Sequence, residues 1–243
     1  MKNGKAMFLA YDQGMEHGPT DFNDKNIDPN YIIKIAKDGK FTGLIFQKGI
    51  AEQYNEEIKK SGIPLIVKLN GKTNLVKGDP VSRQLCTVEE AYNLGAVAVG
   101  YTIYIGSEYE EEMMQEFVDI QREAHEKGLP AITWIYPRGK NLEGISQRDL
   151  LAYAARVGLE IGADIIKIHS HGNKEDLKWA VKAAGKAKVV IAGGSKKGGD
   201  ELTNEIKDAI KVGCAGVAIG RNIWQAGKPI EVTNKIKKII WSK

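Results

Sequence analysis

The 243 residues carry 35 lysines and arginines against 31 aspartates and glutamates, a net charge of +4 spread along the chain, which lends no support to nucleic-acid or membrane binding. With 42% hydrophobic and 27% charged residues the composition is that of a chain able to bury a full core, of a length suited to one large domain. Cys86 and Cys214 lie far apart without metal-ligand spacing, no apolar run reaches the roughly 18 residues of a membrane span, and "MKNGKAMFLAYDQG" has too short an apolar core for a secretory signal, so a cytoplasmic protein with reduced thiols is expected.

Short apolar runs alternate with helical patterns from end to end. Strands are predicted at 6–12 ("AMFLAYD"), 43–48, 64–70 ("PLIVKLN"), 96–101, 131–137 ("AITWIYP"), 164–169 ("DIIKIH"), 188–194 ("KVVIAGG") and 216–220. Helices fit between and after them at 29–39, 51–61, 87–95, 108–128, 146–162, 174–185, 201–213 and 231–241, several closing on glycine as a C-terminal cap would. Eight β-then-α units without a visible linker predict an α/β fold, a single (β/α)8 TIM barrel of parallel strands spanning residues 1–243. A doubly wound open sheet is the alternative, and the regular spacing favours closure. One connection breaks the rhythm. Residues 71–86, "GKTNLVKGDPVSRQLC", are long and aperiodic, and read either as a lid at the C-terminal face or as a mobile surface loop.

Side chains alternate along a strand, so parity sorts the inward set. It groups Ile165, Lys167 and His169; Ile132, Trp134 and Tyr136; Phe8, Ala10 and Asp12; and Ile66, Lys68 and Asn70. The polar members sit late in their strands, so an amine, a phenol, a carboxylate and an amide converge on one mouth, as in a reaction site. A lysine among isoleucines is costly unless paired or deprotonated. Lys167 is therefore expected either to be a nucleophile of lowered pKa or to be neutralised by an ion pair with Asp12. Ile132, Ile165 and Trp134 are the apolar neighbours on its own face.

The last two strands run into "IAGGSKKGG" (191–199) and "AIGRNIW" (218–224). Glycines there let backbone N–H groups approach an anion, and barrels of this class commonly bind phosphate after strands 7 and 8. Gly194, Ser195, Lys196, Gly220 and Arg221 are the candidate ligands; the plainer alternative is a pair of tight turns.

With these residues in hand, the chain resembles the archaeal-type class I fructose-bisphosphate aldolases, the DhnA-like family. The resemblance spans nearly the whole sequence and rests on "DQGMEHGP" (12–19), "KLNGKT" (68–73), "WIYPRG" (134–139), "IKIH" around Lys167, "AGGSK" (192–196) and "IGRNIWQ" (219–225). It implies Lys167 as the Schiff-base lysine, Tyr136 as acid/base and Asp12 as an assisting carboxylate. Trp134, His17, Lys68 and the two glycine loops are then substrate-binding. It further implies reversible cleavage of fructose 1,6-bisphosphate to dihydroxyacetone phosphate and glyceraldehyde 3-phosphate in glycolysis or gluconeogenesis. A large homo-oligomer, often a decamer, is implied as well, and the chemistry calls for no metal and no other cofactor. The nearest alternative is the sibling 2-amino-3,7-dideoxy-D-threo-hept-6-ulosonate synthase, or a related aldolase acting on another phosphorylated sugar; the long "DQGMEHGP" form favours the first reading. A non-catalytic sugar-phosphate binder on a barrel scaffold is the rival from another class.

Glu16 and His17 are expected to shape the substrate end near a phosphate or to cap their loop. The "HSH" spacing of His169 and His171 lacks a matching carboxylate motif, which argues against a metal site. The acidic stretch 108–117 reads as a solvated helix start, and Trp241 as either core or subunit contact.

Overall fold

Apolar runs bounded by caps and glycines form eight parallel strands in the computed structural model, which describes residues 1–242. They are β1 (Ala6–Ala10), β2 (Gly43–Gln47), β3 (Leu65–Lys68), β4 (Ala96–Ile105), β5 (Ala131–Pro137), β6 (Ile165–His169), β7 (Lys188–Ala192) and β8 (Gly216–Ile219). Each pairs with its neighbour in chain order and β8 closes on β1, giving a closed parallel barrel wrapped in helices, a TIM barrel. Their backbones are almost wholly buried, as expected for parallel strands covered on both faces.

Four of the helices start where a side chain supplies a cap, at Asp28, Thr87, Ser146 and Asn173. Asp28 accepts from the Asn30 N–H before the helix Pro29–Gly39, and Ser146 accepts from the Asp149 N–H before Gln147–Glu160. Thr87 and Glu90 form a reciprocal capping box at the head of Val88–Asn93, a motif whose removal costs about 1 kcal/mol. The expected helix at 51–61 is instead two, Lys48–Gln53 and Asn55–Ser61, broken at Tyr54, whose φ of −113° is not helical. Among the described residues no helix is long and apolar enough to cross a membrane.

Five strand ends differ from expectation and matter to the site. β4 continues past Tyr101 to Ile105, which carries Tyr104 up to the mouth. β1, β3, β7 and β8 stop at Ala10, Lys68, Ala192 and Ile219, leaving Asp12, Gly194 and Gly220 on the rim above their strands and Asn70 outside β3.

The 71–86 segment is tied down rather than free. Asn70–Gly71 pair with Arg83–Gln84 in a short antiparallel ladder. Ser107 donates to the Pro80 carbonyl, and Asp79 accepts from the backbone N–H groups of Glu108 and Lys140. Its tip, Leu75 and Val76, stays exposed. The Trp241 indole packs against the core and donates to the Lys2 carbonyl.

Inside the barrel, Phe8, Ile66, Ala98, Ile132 and Ile165 line an apolar hollow toward the strand N-termini. At the other end of the same strands the inward side chains turn polar.

Candidate active site

Register places the reacting groups. β5 and β6 pair Ile132 with Ile165 and Trp134 with Lys167, so the lysine lies alongside the indole two residues above an isoleucine floor. Across β4 and β5, Gly100 pairs with Ile132, Thr102 with Trp134 and Tyr104 with Tyr136. Gly100 is there for space: a Cβ at that position would lie 2.0 Å from Cη2 and Cζ3 of Trp134. The missing side chain lets the indole lie flat beneath the mouth.

Lys167 is 5% exposed, with its Nζ 4.8 Å from the centroid of the Trp134 ring. Among the described residues it makes no ion pair. The Asp12 carboxylate is instead paired with Lys68, at 3.6 Å between Oδ2 and Nζ, both side chains being buried. Burial therefore dominates the lysine and lowers its pKa to about 8, against a smaller opposing pull from Asp12. For Asp12 burial alone would raise the carboxyl, yet the Lys167 and Lys68 ammoniums together hold it below its ordinary value. Burial, reinforced by Asp12, pushes the Tyr136 phenol well above its usual range, so it keeps its proton. The His169 ring packs on Tyr136 at 4.4 Å, and burial with the nearby Lys167 charge lowers its pKa to about 3, leaving a neutral imidazole.

These side chains share one cavity of about 470 Å³ at the C-terminal mouth. Asp12, His17, Lys68, Trp134, Tyr136, Lys167, Gly194, Ser195, Gly220 and Arg221 all line it. Lys196 does not. Gly194 takes φ +63°, and beyond that turn the Lys196 ammonium reaches out to the Gln225 carbonyl at 3.2 Å. Lys197 lines the mouth in its place, its Nζ 2.7 Å from Glu205. Asn70, expected in the mouth by parity, is instead fully buried beneath the 71–86 segment. Its amide donates to the Ser82 and Thr102 carbonyls and accepts from the Thr102 N–H.

Three features of the mouth had no sequence signal assigned to them. The Arg138 guanidinium stacks over Tyr136 and Tyr104 and pairs with Glu16 at 2.8 Å. Tyr104 reaches toward Glu16 from the extended β4, 3.5 Å from its carboxylate. Asn222 joins the two glycine loops: its amide donates to the Gly193 and Ser195 carbonyls and accepts from the Lys197 N–H. On the other side of that pocket His17 Nδ1 lies 2.7 Å from Asp21, which also holds Arg221 at 3.6 Å. Among the described residues no group of three or more His, Cys, Asp or Glu side chains is placed to hold a metal.

A parallel barrel with an unpaired buried amine, a protonated phenol and an ionised carboxylate at the C-terminal ends of its strands is of the lysine-dependent aldolase class. The family model of the DeoC/LacD family aldolases matches residues 6–226, and the chain belongs to that family. It is 44% identical to the class 1 fructose-bisphosphate aldolase of Thermoproteus tenax, the alignment covering 99% of this chain and 91% of the relative. It is 38% identical to a Methanocaldococcus jannaschii protein named fructose-bisphosphate aldolase/6-deoxy-5-ketofructose 1-phosphate synthase, over 99% of this chain and 82% of the other. Among solved structures, an archaeal fructose-1,6-bisphosphate aldolase with its catalytic lysine covalently bound to the carbinolamine intermediate superposes with a TM-score of 0.93. That match is at 43% identity, covering 98% of this chain and 95% of that one.

Proposed function

We propose that this protein is a Schiff-base (class I) fructose-1,6-bisphosphate aldolase, a carbon–carbon lyase that reversibly forms dihydroxyacetone phosphate and glyceraldehyde 3-phosphate. One observation carries the proposal: a buried lysine without an ion-pair partner, its pKa lowered to about 8, opposite a protonated tyrosine in a single cavity. The relatives' names point the same way.

In this reading Lys167 Nζ attacks the C2 carbonyl, and loss of water from the carbinolamine gives a protonated imine. Cleavage of the C3–C4 bond then sends its electron pair into that imine, leaving an enamine in place of an unstabilised carbanion. The protonated Tyr136 phenol suits donation to the nascent C4 alkoxide in the condensation direction. In cleavage the Tyr136 hydroxyl takes the C4 hydroxyl proton as it passes its own to Asp12, which is held ionised and so can receive it. Protonation of the enamine and hydrolysis of the imine release dihydroxyacetone phosphate and restore the amine. Trp134 supplies the flat wall beside the imine. Gly194, Ser195 and Gly220 present backbone and hydroxyl donors to the phosphate on C1, with Arg221 and His17 adding charge or hydrogen bonds. Residues 1–243 act as one catalytic domain in a homo-oligomer located in the cytoplasm, serving glycolysis or gluconeogenesis.

Borohydride reduction in the presence of dihydroxyacetone phosphate, followed by peptide mass analysis, tests the assignment. A stable adduct on Lys167 that is absent from Lys167→Met is expected, together with cleavage of fructose 1,6-bisphosphate in a coupled assay. An adduct without cleavage would transfer the protein to a sibling reaction on another phosphorylated sugar. No adduct would leave a sugar-phosphate binder.

A further inference from the structure

Three charged side chains meet under the mouth, and their pairing is asymmetric. Asp12 stands above β1, Lys68 ends β3 and Lys167 lies in β6. In the closed ring β1 is two strands from β3 and three from β6. The carboxylate is therefore flanked by two buried ammoniums, one on either side. It makes its ion-pair contact with Lys68, at 3.6 Å, while Lys167, whose charge also acts on Asp12 through space, rests on the Trp134 face without a carboxylate contact among the described residues.

We propose that Lys68 is a positioning residue: it holds the Asp12 carboxylate on the β3 side of the barrel, which prevents an Asp12–Lys167 ion pair and leaves the reacting amine unpaired. The proposal deepens the Schiff-base reading and rests on it for the role of Lys167. A buried carboxylate released from one cation closes on the next, because an unpaired charge in that setting is costly. An opposite charge within about 4–6 Å favours the ammonium by roughly 1–3 pKa units. The Lys68 ammonium also acts on Lys167 directly, by like-charge repulsion. The other groups around the amine are Glu16 and Arg138, which pair with each other, the protonated Tyr136 and the neutral His169. β7 presents Val190 opposite Lys167.

The test reads the amine itself and needs no knowledge of the substrate. Competitive acetylation with acetic anhydride across pH, with peptide mass analysis, gives the titration of Lys167 in the wild type, Lys68→Met, Asp12→Asn and the double variant. In Lys68→Met the Lys167 midpoint is expected to rise by about one unit or more, a loss of at least roughly tenfold in neutral amine near pH 7. In the Asp12→Asn background the same substitution should shift it clearly less, by the loss of direct Lys68 repulsion alone, since the anion that would close on Lys167 is gone. Lys68→Arg, which keeps a cation against Asp12, should restore the wild-type midpoint. If Lys68→Met does not fold, Lys68→Gln is read instead, with a smaller upward shift expected, also reduced by Asp12→Asn. An unshifted midpoint overturns the proposal. So does an equal shift in both backgrounds, which would mean direct repulsion between the two lysines without Asp12. Absence of a borohydride adduct in the wild type would instead sink the Schiff-base reading, leaving the titration result to stand by itself.

Discussion

Replacing Gly100 by alanine tests whether the indole is held in place for the lysine. The new Cβ would stand 2.0 Å from two carbons of the Trp134 six-membered ring. Ordinary carbon contact is about 3.5–4.0 Å, so the ring or β4 must yield by about 1.5–2 Å. Trp134 is 1% exposed, so a displaced ring must press into its packed neighbours or into the cavity it lines. Overpacking of this kind costs about 1–3 kcal/mol, or a loss of several degrees in Tm for a chain of this length, roughly 2–4 °C per kcal/mol. The functional effect should be larger than the stability effect, because Lys167 sits against the displaced ring. A misplacement of about 1 Å can cost on the order of a hundredfold in rate. Urea unfolding and kcat/KM for fructose 1,6-bisphosphate would be measured side by side on Gly100→Ala, Trp134→Phe and the double variant. The smaller ring relieves the clash, so the double variant should be less destabilised than the two single losses summed. Wild-type stability and activity in Gly100→Ala, or strict additivity in the double variant, would refute the reasoning.

Two further outcomes follow from the ionisation of the site. Lys167 with a pKa of about 8 is neutral in about one molecule in ten at pH 7, against roughly one in 2,500 at the free value of about 10.4. The borohydride-trapping rate should thus climb with pH through about 8 and then level; a rise continuing past pH 10 would contradict the assignment. The folded state binds this proton more weakly than the unfolded chain, so its penalty on stability is full below about pH 8 and is relieved between there and 10.5. A Lys167→Met variant should lose that upward trend in urea titrations over the same window. Tyr136→Phe should keep the imine adduct and substrate affinity while kcat falls by about a hundredfold or more, the usual worth of a positioned acid or base. Near-normal turnover would take Tyr136 out of the proton-transfer role.

The barrel and much of the mouth were legible because strand parity is a strong constraint. Knowing only that "DIIKIH" and "AITWIYP" are strands puts Lys167, Trp134 and Tyr136 on one side, and closure brings them to one end. The same rule failed for Asn70, which lies beyond the last β3 residue, where loop geometry replaces alternation. There its amide satisfies backbone groups of β4 and of the segment at 71–86, a demand that no periodicity announces. Tyr104 lies beyond the expected end of the fourth strand at Tyr101, although "TIYI" continues the apolar run that the structure extends to Ile105. Lys196 and Lys197 could not be told apart in sequence, since the turn at Gly194 decides which one faces the cavity. Arg138 follows the last residue of β5, and its stacking across two tyrosines depends on a β4–β5 register that only the assembled barrel displays.

The bridging carboxamide of Asn222 fastens two successive βα turns to each other through three main-chain partners. In the phosphate site proposed above, the backbone amides would thereby be aimed before the anion arrives, so that capture need not freeze a floppy rim. Ligand selection at this edge of the barrel then becomes a matter of fit to a finished cradle, and the free energy of docking remains available for the bond-breaking step.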